Sequence, residues 1–119
     1  MSDSIATFFD AWAVTDNDTR LETITSAVSE DIHYADPKTP EPITGINALN
    51  DYVGMFCANA PGWIATVIKS DTTAGVTRVT VAFSGQGPDG NVLTQHGQYF
   101  VEKDGDLVSR MVGFVGTGS

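Results

Sequence analysis

The chain has 119 residues, 41% of them hydrophobic and 18% charged, a balance too apolar for disorder and suited to one folded domain with a real core. Fifteen acidic residues against six basic ones give a net charge of −9, which repels phosphate backbones and anionic lipid and argues against nucleic-acid and membrane-surface roles. A single cysteine, Cys57, excludes an internal disulfide, the first residues lack the basic-then-apolar order of a signal peptide, and no apolar run nears the roughly 20 residues of a membrane span, so a cytoplasmic location is expected.

Ile5, Phe8, Phe9, Trp12 and Ala13 recur at helical spacing, one apolar stripe on a helix that begins near Asp3 or Ser4. Asp16-Asn17-Asp18 breaks it, and Asp18 is a good cap for a second helix with Leu21, Ile24, Ala27 and Val28 inside. A short strand, 32–36, follows. Thr44 can cap a third helix, with Ile46, Leu49, Val53 and Phe56 inside, and Pro61-Gly62 stops it. Cys57 reads as a small buried side chain of this helix.

The second half changes period. Residues 63–70, 76–86, 92–102 and 107–115 are rich in Val, Ile, Thr, Phe and Tyr, separated by the turn signals Ala74-Gly75, Pro88-Asp89-Gly90 and Asp104-Gly105. Strands so close must run antiparallel, and helices followed by a meander predict an α+β domain with its helices on one sheet face. The tail from Gly116 to Ser119 reads as frayed. In 107–115 both faces are mostly apolar: Leu107, Ser109, Met111 and Val115 on one, Val108, Arg110, Val112 and Phe114 on the other. Three helices cover one face only, so the other is expected to pack against a second copy in a homodimer.

The stretch 32–45 carries the most information. An apolar run ends in one carboxylate, Asp36, and a proline-rich turn leads to a helix-opening glycine. If Tyr34 faces a core, the two-residue strand period puts Asp36 on the same side. A carboxyl at the rim of an apolar interior has its proton affinity raised by burial, which suits it to act as a base. The plain alternative is that Asp36-Pro37 starts a turn.

These features together resemble the SnoaL-like and ketosteroid-isomerase-like branch of the nuclear transport factor 2-like superfamily, over nearly the whole chain. The resemblance rests on the first helix with its Asp-Asn-Asp break, on Asp31-Ile-His-Tyr-Ala-Asp36-Pro37, and on Glu41-Pro-Ile-Thr-Gly45. Tyr52, Pro61-Gly62 and the Lys103-Asp-Gly-Asp-Leu-Val-Ser109 hairpin continue it. It implies a cone-shaped, cystatin-like roll: three N-terminal helices on a curved, mainly antiparallel sheet that encloses an apolar pocket. It also implies that Asp36 shuttles a proton beside a ketone, with no cofactor. The isomerases add a first-helix tyrosine and a protonated late-strand acid as an oxyanion hole. This chain has Trp12 at the first position and Gly97, flanked by His96 and Gln98, at or near the second, so standard steroid isomerisation is not expected.

On this likeness the substrate-binding candidates are Trp12, Tyr34, Tyr52, Phe56, His96, Tyr99, Arg110 and Phe114, with Asp36 catalytic. Tyr34 and Tyr99 are the best donors to a ligand oxygen, because a buried phenol needs a partner. His96 is either a pocket donor or an ordinary strand histidine. His33 should point away from Asp36. Arg110 would pair with Asp36 or hold a substrate carboxylate if it points inward; otherwise it is an edge or interface arginine. Two distant histidines without a second acid at ligand spacing argue against a metal. Three functions stay open: a cyclase- or isomerase-like enzyme acting on an apolar carbonyl compound, a binding module for a small hydrophobic ligand, and a scaffold with a filled interior.

Overall fold

Phe8 and Phe9 bury themselves on α1 (Ser4–Asp10), and the stripe continues through Trp12 in a 3-10 turn, Ala11–Ala13. The computed structural model describes residues 4–39, 41–60, 62–87 and 89–116, so Asp3, the Pro61 stop, Pro88 and the tail beyond Gly116 lie outside the described residues.

The second helix, α2 (Asn17–Ala27), is capped by Asp16, not by the expected Asp18. Asp16 has extended backbone, and its carboxylate accepts the Thr19 N–H at 2.9 Å, whereas Asp18 already stands in the first turn. Arg20, buried, ties this helix to the third one, α3 (Ile46–Asn59). It donates to Asn50 Oδ1 and Asn17 Oδ1, each at 2.9 Å, and to the Val14 carbonyl at 3.1 Å. α3 opens at Gly45, whose φ of +90° suits glycine, while Thr44 belongs to a short strand. Leu49, Val53 and Cys57 face the core, with Ile46 and Phe56 at its margin.

The six strands are β1 (Val28–Ala35), β2 (Ile43–Thr44), β3 (Ile64–Thr73), β4 (Val76–Gln86), β5 (Val92–Asp104) and β6 (Leu107–Val115). They form one mixed sheet in the order β2-β1-β6-β5-β4-β3; β1 runs parallel to β6, and the other neighbours are antiparallel. Ala74 and Gly75 both have positive φ, 52° and 83°, as a two-residue hairpin matching strand twist requires. Three helices thus pack on a six-stranded sheet in an α+β fold. No described helix is long and apolar enough to cross a membrane.

The helix-covered face carries Ile32, Tyr34, Val79, Val81, Tyr99, Val101 and Met111, all buried. Register decides which face of β6 this is. Met111 lies opposite Val101 and Gly113 opposite Tyr99, so Arg110 and Phe114 point to the uncovered side. Val108 turns inward as well, because the pairing slips at Glu102 and Lys103. Three expectations are corrected here. Arg110 is exposed and pairs with Glu102 at 3.2 Å; Phe114 is exposed and packs edge-on against Phe100 at 5.7 Å between ring centres. His96 is exposed, alternating with the buried Gly97 and Tyr99.

Candidate functional site

β1 ends at Ala35, and Asp36 follows where the chain leaves the sheet. The turn fixes its backbone: Asp36 N–H donates to Thr39 Oγ1 at 3.1 Å, and the Thr39 hydroxyl donates back to the Asp36 carbonyl at 3.0 Å. The Lys38 N–H donates to Asp36 Oδ1 at 2.8 Å. Asp36 therefore does start the turn. Its other oxygen, Oδ2, faces the protein, accepting the hydroxyls of Tyr34 at 2.7 Å and Tyr52 at 2.6 Å. Tyr34 reaches it by strand alternation and Tyr52 from the middle of α3.

The chain contains three tyrosines, and all three converge here. The Tyr99 hydroxyl interacts with that of Tyr34, and the two ring centres lie 6.4 Å apart. Burial raises the pKa of all three phenols, and the Asp36 carboxylate adds to the rise. Below about pH 10 folded and unfolded chains both keep these protons, and stability is full. Above it the unfolded chain loses protons that the fold retains, so stability falls as pH rises, by roughly 1.4 kcal/mol per pH unit for each of the buried Tyr34 and Tyr99. Tyr52, half-buried, adds less because solvent screens it. Urea midpoints should be flat from pH 7 to 9 and drop beyond 10, with a shallower drop in Tyr99→Phe. An equal drop in both proteins would refute the assignment.

Around the tyrosines the interior is filled with rings. Trp12, 3% exposed, has Phe56 at 4.9 Å, Phe83 at 5.7 Å, Phe8 at 6.0 Å, Tyr52 at 6.2 Å and Tyr34 at 6.3 Å between ring centres. Its indole N–H is buried without a hydrogen-bond partner among the described residues. Phe83 is a site residue missed in the sequence; its signal was the two-residue spacing Val79, Val81, Phe83 on one strand face. Phe56, Tyr52 and Phe83, packed on the core but partly exposed, form the margin of the cluster.

Of the sequence candidates, Asp36, Trp12, Tyr34, Tyr52, Phe56 and Tyr99 come together, while His96, Arg110 and Phe114 stand on the other sheet face. His33 is exposed, as its position beside Tyr34 requires. Among the described residues both ion pairs, Arg78–Asp71 and Arg110–Glu102, lie at the surface, and no cluster of potential metal ligands occurs. Two open clefts, of about 420 and 620 Å³, flank the helices. The first is lined by Arg20, Gly54 and Cys57 among others and the second by Glu30 and Gly45 among others; neither reaches Asp36.

No protein-family model matches the sequence, and no curated protein is similar to it; the likeness is in three dimensions. A proposed isomerase of the SnoaL-like family from Agrobacterium tumefaciens superposes with a TM-score of 0.80 at 22% identity, over 96% of this chain and 95% of that one. A protein of ketosteroid-isomerase-like fold from Catenulispora acidiphila, solved with trimethylamine, gives 0.78 at 12% identity, over 100% and 89%. The fold is nuclear transport factor 2-like. TerC, co-crystallised with polyporic acid, shares this nuclear transport factor 2-like fold at a TM-score of 0.72 and 13% identity, over 97% of this chain and 92% of that one.

Proposed function

We propose that the chain is a small-molecule pocket enzyme, isomerase- or cyclase-like and independent of cofactors, in which Asp36 removes a proton beside a carbonyl of an apolar substrate. The observation that carries this is the clasp on Asp36: two phenols on Oδ2 and one backbone N–H on Oδ1. A carboxylate has about four lone-pair sites, and the three donors among the described residues leave one, on Oδ1, so a substrate proton would reach Asp36 from the turn side. The clasp also locks the carboxylate's orientation, which proton transfer requires. Proton exchange at the α-carbon of a panel of apolar ketones in heavy water, followed by NMR, tests the reading; exchange at the buffer rate for every ketone refutes it.

The closed packing of rings favours a scaffold with a filled interior; a further reading is a binding module for a small hydrophobic ligand without turnover. Ligand binding without catalysed exchange would select it.

The uncovered sheet face supports a homodimer. Phe100, Phe114 and Ile64 stand 38%, 55% and 47% exposed there, apolar surface that a second copy would cover. Sedimentation at micromolar concentration should give twice the chain mass, and Phe114→Glu should halve it. A wild-type monomer refutes the dimer.

A further inference from the structure

We infer that the cleft between α2 and α3 is a binding site for a small monocarboxylic acid with an apolar tail, its carboxylate received by the buried Arg20 guanidinium. The cleft does not reach Asp36, and the inference does not depend on the proton-transfer reading.

Arg20 is 6% exposed, and arginine is almost never buried so deeply without an anionic partner. Its acceptors here are all neutral. Nε donates to Asn50 Oδ1 and Nη2 to Asn17 Oδ1, while Nη1 donates to the Val14 carbonyl at 3.1 Å and, more loosely, to the Thr15 carbonyl at 3.5 Å. A guanidinium carries five N–H bonds, so the second one on Nη2 has no acceptor among the described residues. No described carboxylate lies within ion-pair distance of it, in a chain with fifteen acidic residues. Asp16, whose carboxyl Thr19 holds down first and Arg20 least, is spent on the α2 cap. A buried cation without a counter-charge is costly, and an anion in the cleft removes that cost.

The cleft supplies the room and the rest of the ligand's description. Arg20 and Gly54 both line it, and Nη2 rests against α3 at Gly54, where an added Cβ would stand 2.6 Å away, so no side chain of residue 54 comes between. Its volume of about 420 Å³ is in the range of small-ligand sites. Met55, 61% exposed, with Cys57 and Ala58 gives it an apolar wall for a tail. Asp51, exposed on the same lining and unpaired with Arg20, repels a second negative charge. A single carboxylate is therefore favoured over a phosphate, which carries roughly −1.5 to −2 at pH 7. The cleft is on the helix side, so a dimer through the uncovered sheet face leaves it open.

Hexanoate serves as the probe, hexanamide as its uncharged counterpart and hexyl phosphate as the more highly charged one. In a proton–nitrogen NMR titration of the full chain, hexanoate should move the Gly54 amide and the Arg20 Nε–H to saturation. Hexanamide should bind about tenfold more weakly, for want of a charged acceptor, and hexyl phosphate more weakly than hexanoate. Asp51→Asn should tighten hexanoate binding and Met55→Glu weaken it, each by roughly two- to fivefold, as exposed charges do. Arg20→Gln should abolish the Gly54 shift, and the two variants at the exposed rim decide the matter if that protein does not fold. No saturating shift with hexanoate, equal affinity for hexanamide, or tighter binding of hexyl phosphate overturns the inference. So does an Asp51→Asn protein with a lower urea midpoint and unchanged hexanoate affinity, which would show that Asp51 itself closes on Arg20.

Discussion

Asp36→Asn should leave the protein folded and lower ketone proton exchange by roughly two to four orders of magnitude, the usual worth of a positioned general base. The amide keeps the shape of the carboxylate and one good acceptor. Placed at Oδ2, its oxygen still receives the Tyr34 and Tyr52 hydroxyls. Its NH2 then faces the Lys38 N–H, donor against donor, where Oδ1 had accepted at 2.8 Å. That mismatch costs on the order of 1–3 kcal/mol, so a modest fall in urea midpoint accompanies the lost activity. Exchange at the wild-type rate in a folded Asp36→Asn protein would remove Asp36 from the chemistry.

Gly113→Ala should be among the most damaging single-methyl additions in the sheet. A Cβ at Gly113 would sit 2.5 Å from Cε2 of Tyr99, which is 5% exposed, and one at Gly97 would stand 3.6 Å from Cε1 of the same ring. The Tyr99 ring therefore lies across two bare stretches of backbone. Gly113 is not among the positive-φ glycines, so alanine fits the backbone and the effect is purely steric. Forcing the ring away costs roughly 1–3 kcal/mol of overpacking and pulls the Tyr99 hydroxyl from Tyr34. In a Tyr99→Ala background the same substitution should cost almost nothing, a coupling that a double-mutant cycle by urea unfolding measures. Equal costs in the two backgrounds would contradict the packing described.

The hairpin turns were legible because turn residues announce themselves: Ala74-Gly75 and Gly105 sit at the hairpin tips where the sequence places them, whereas β1 starts at Val28 instead of residue 32 and the two-residue β2 gave no signal. That Tyr34 and Asp36 share a side was legible from strand alternation, but not that the phenol donates to the carboxylate instead of to a ligand. The inward face of β6 was not, because Met111 and Val112 are equally apolar and only the register with Val101 and Tyr99 separates them. That ambiguity drew Arg110 and Phe114 into the expected site. Tyr52 entered only through family likeness, since its meeting with Asp36, 16 residues away, depends on how α3 crosses the sheet. That the Trp12 N–H has no partner among the described residues depends on every neighbour at once, and no local pattern encodes it.

Because Tyr34, Tyr52 and Tyr99 are the whole phenolic complement of the chain, the rise in tyrosinate absorbance at high pH comes from this cluster, over a constant tryptophan background. An alkaline spectrophotometric scan of the intact protein would thus report on this one patch of its interior, and nitration or iodination reagents would reach the partly exposed Tyr52 well before Tyr34 or Tyr99.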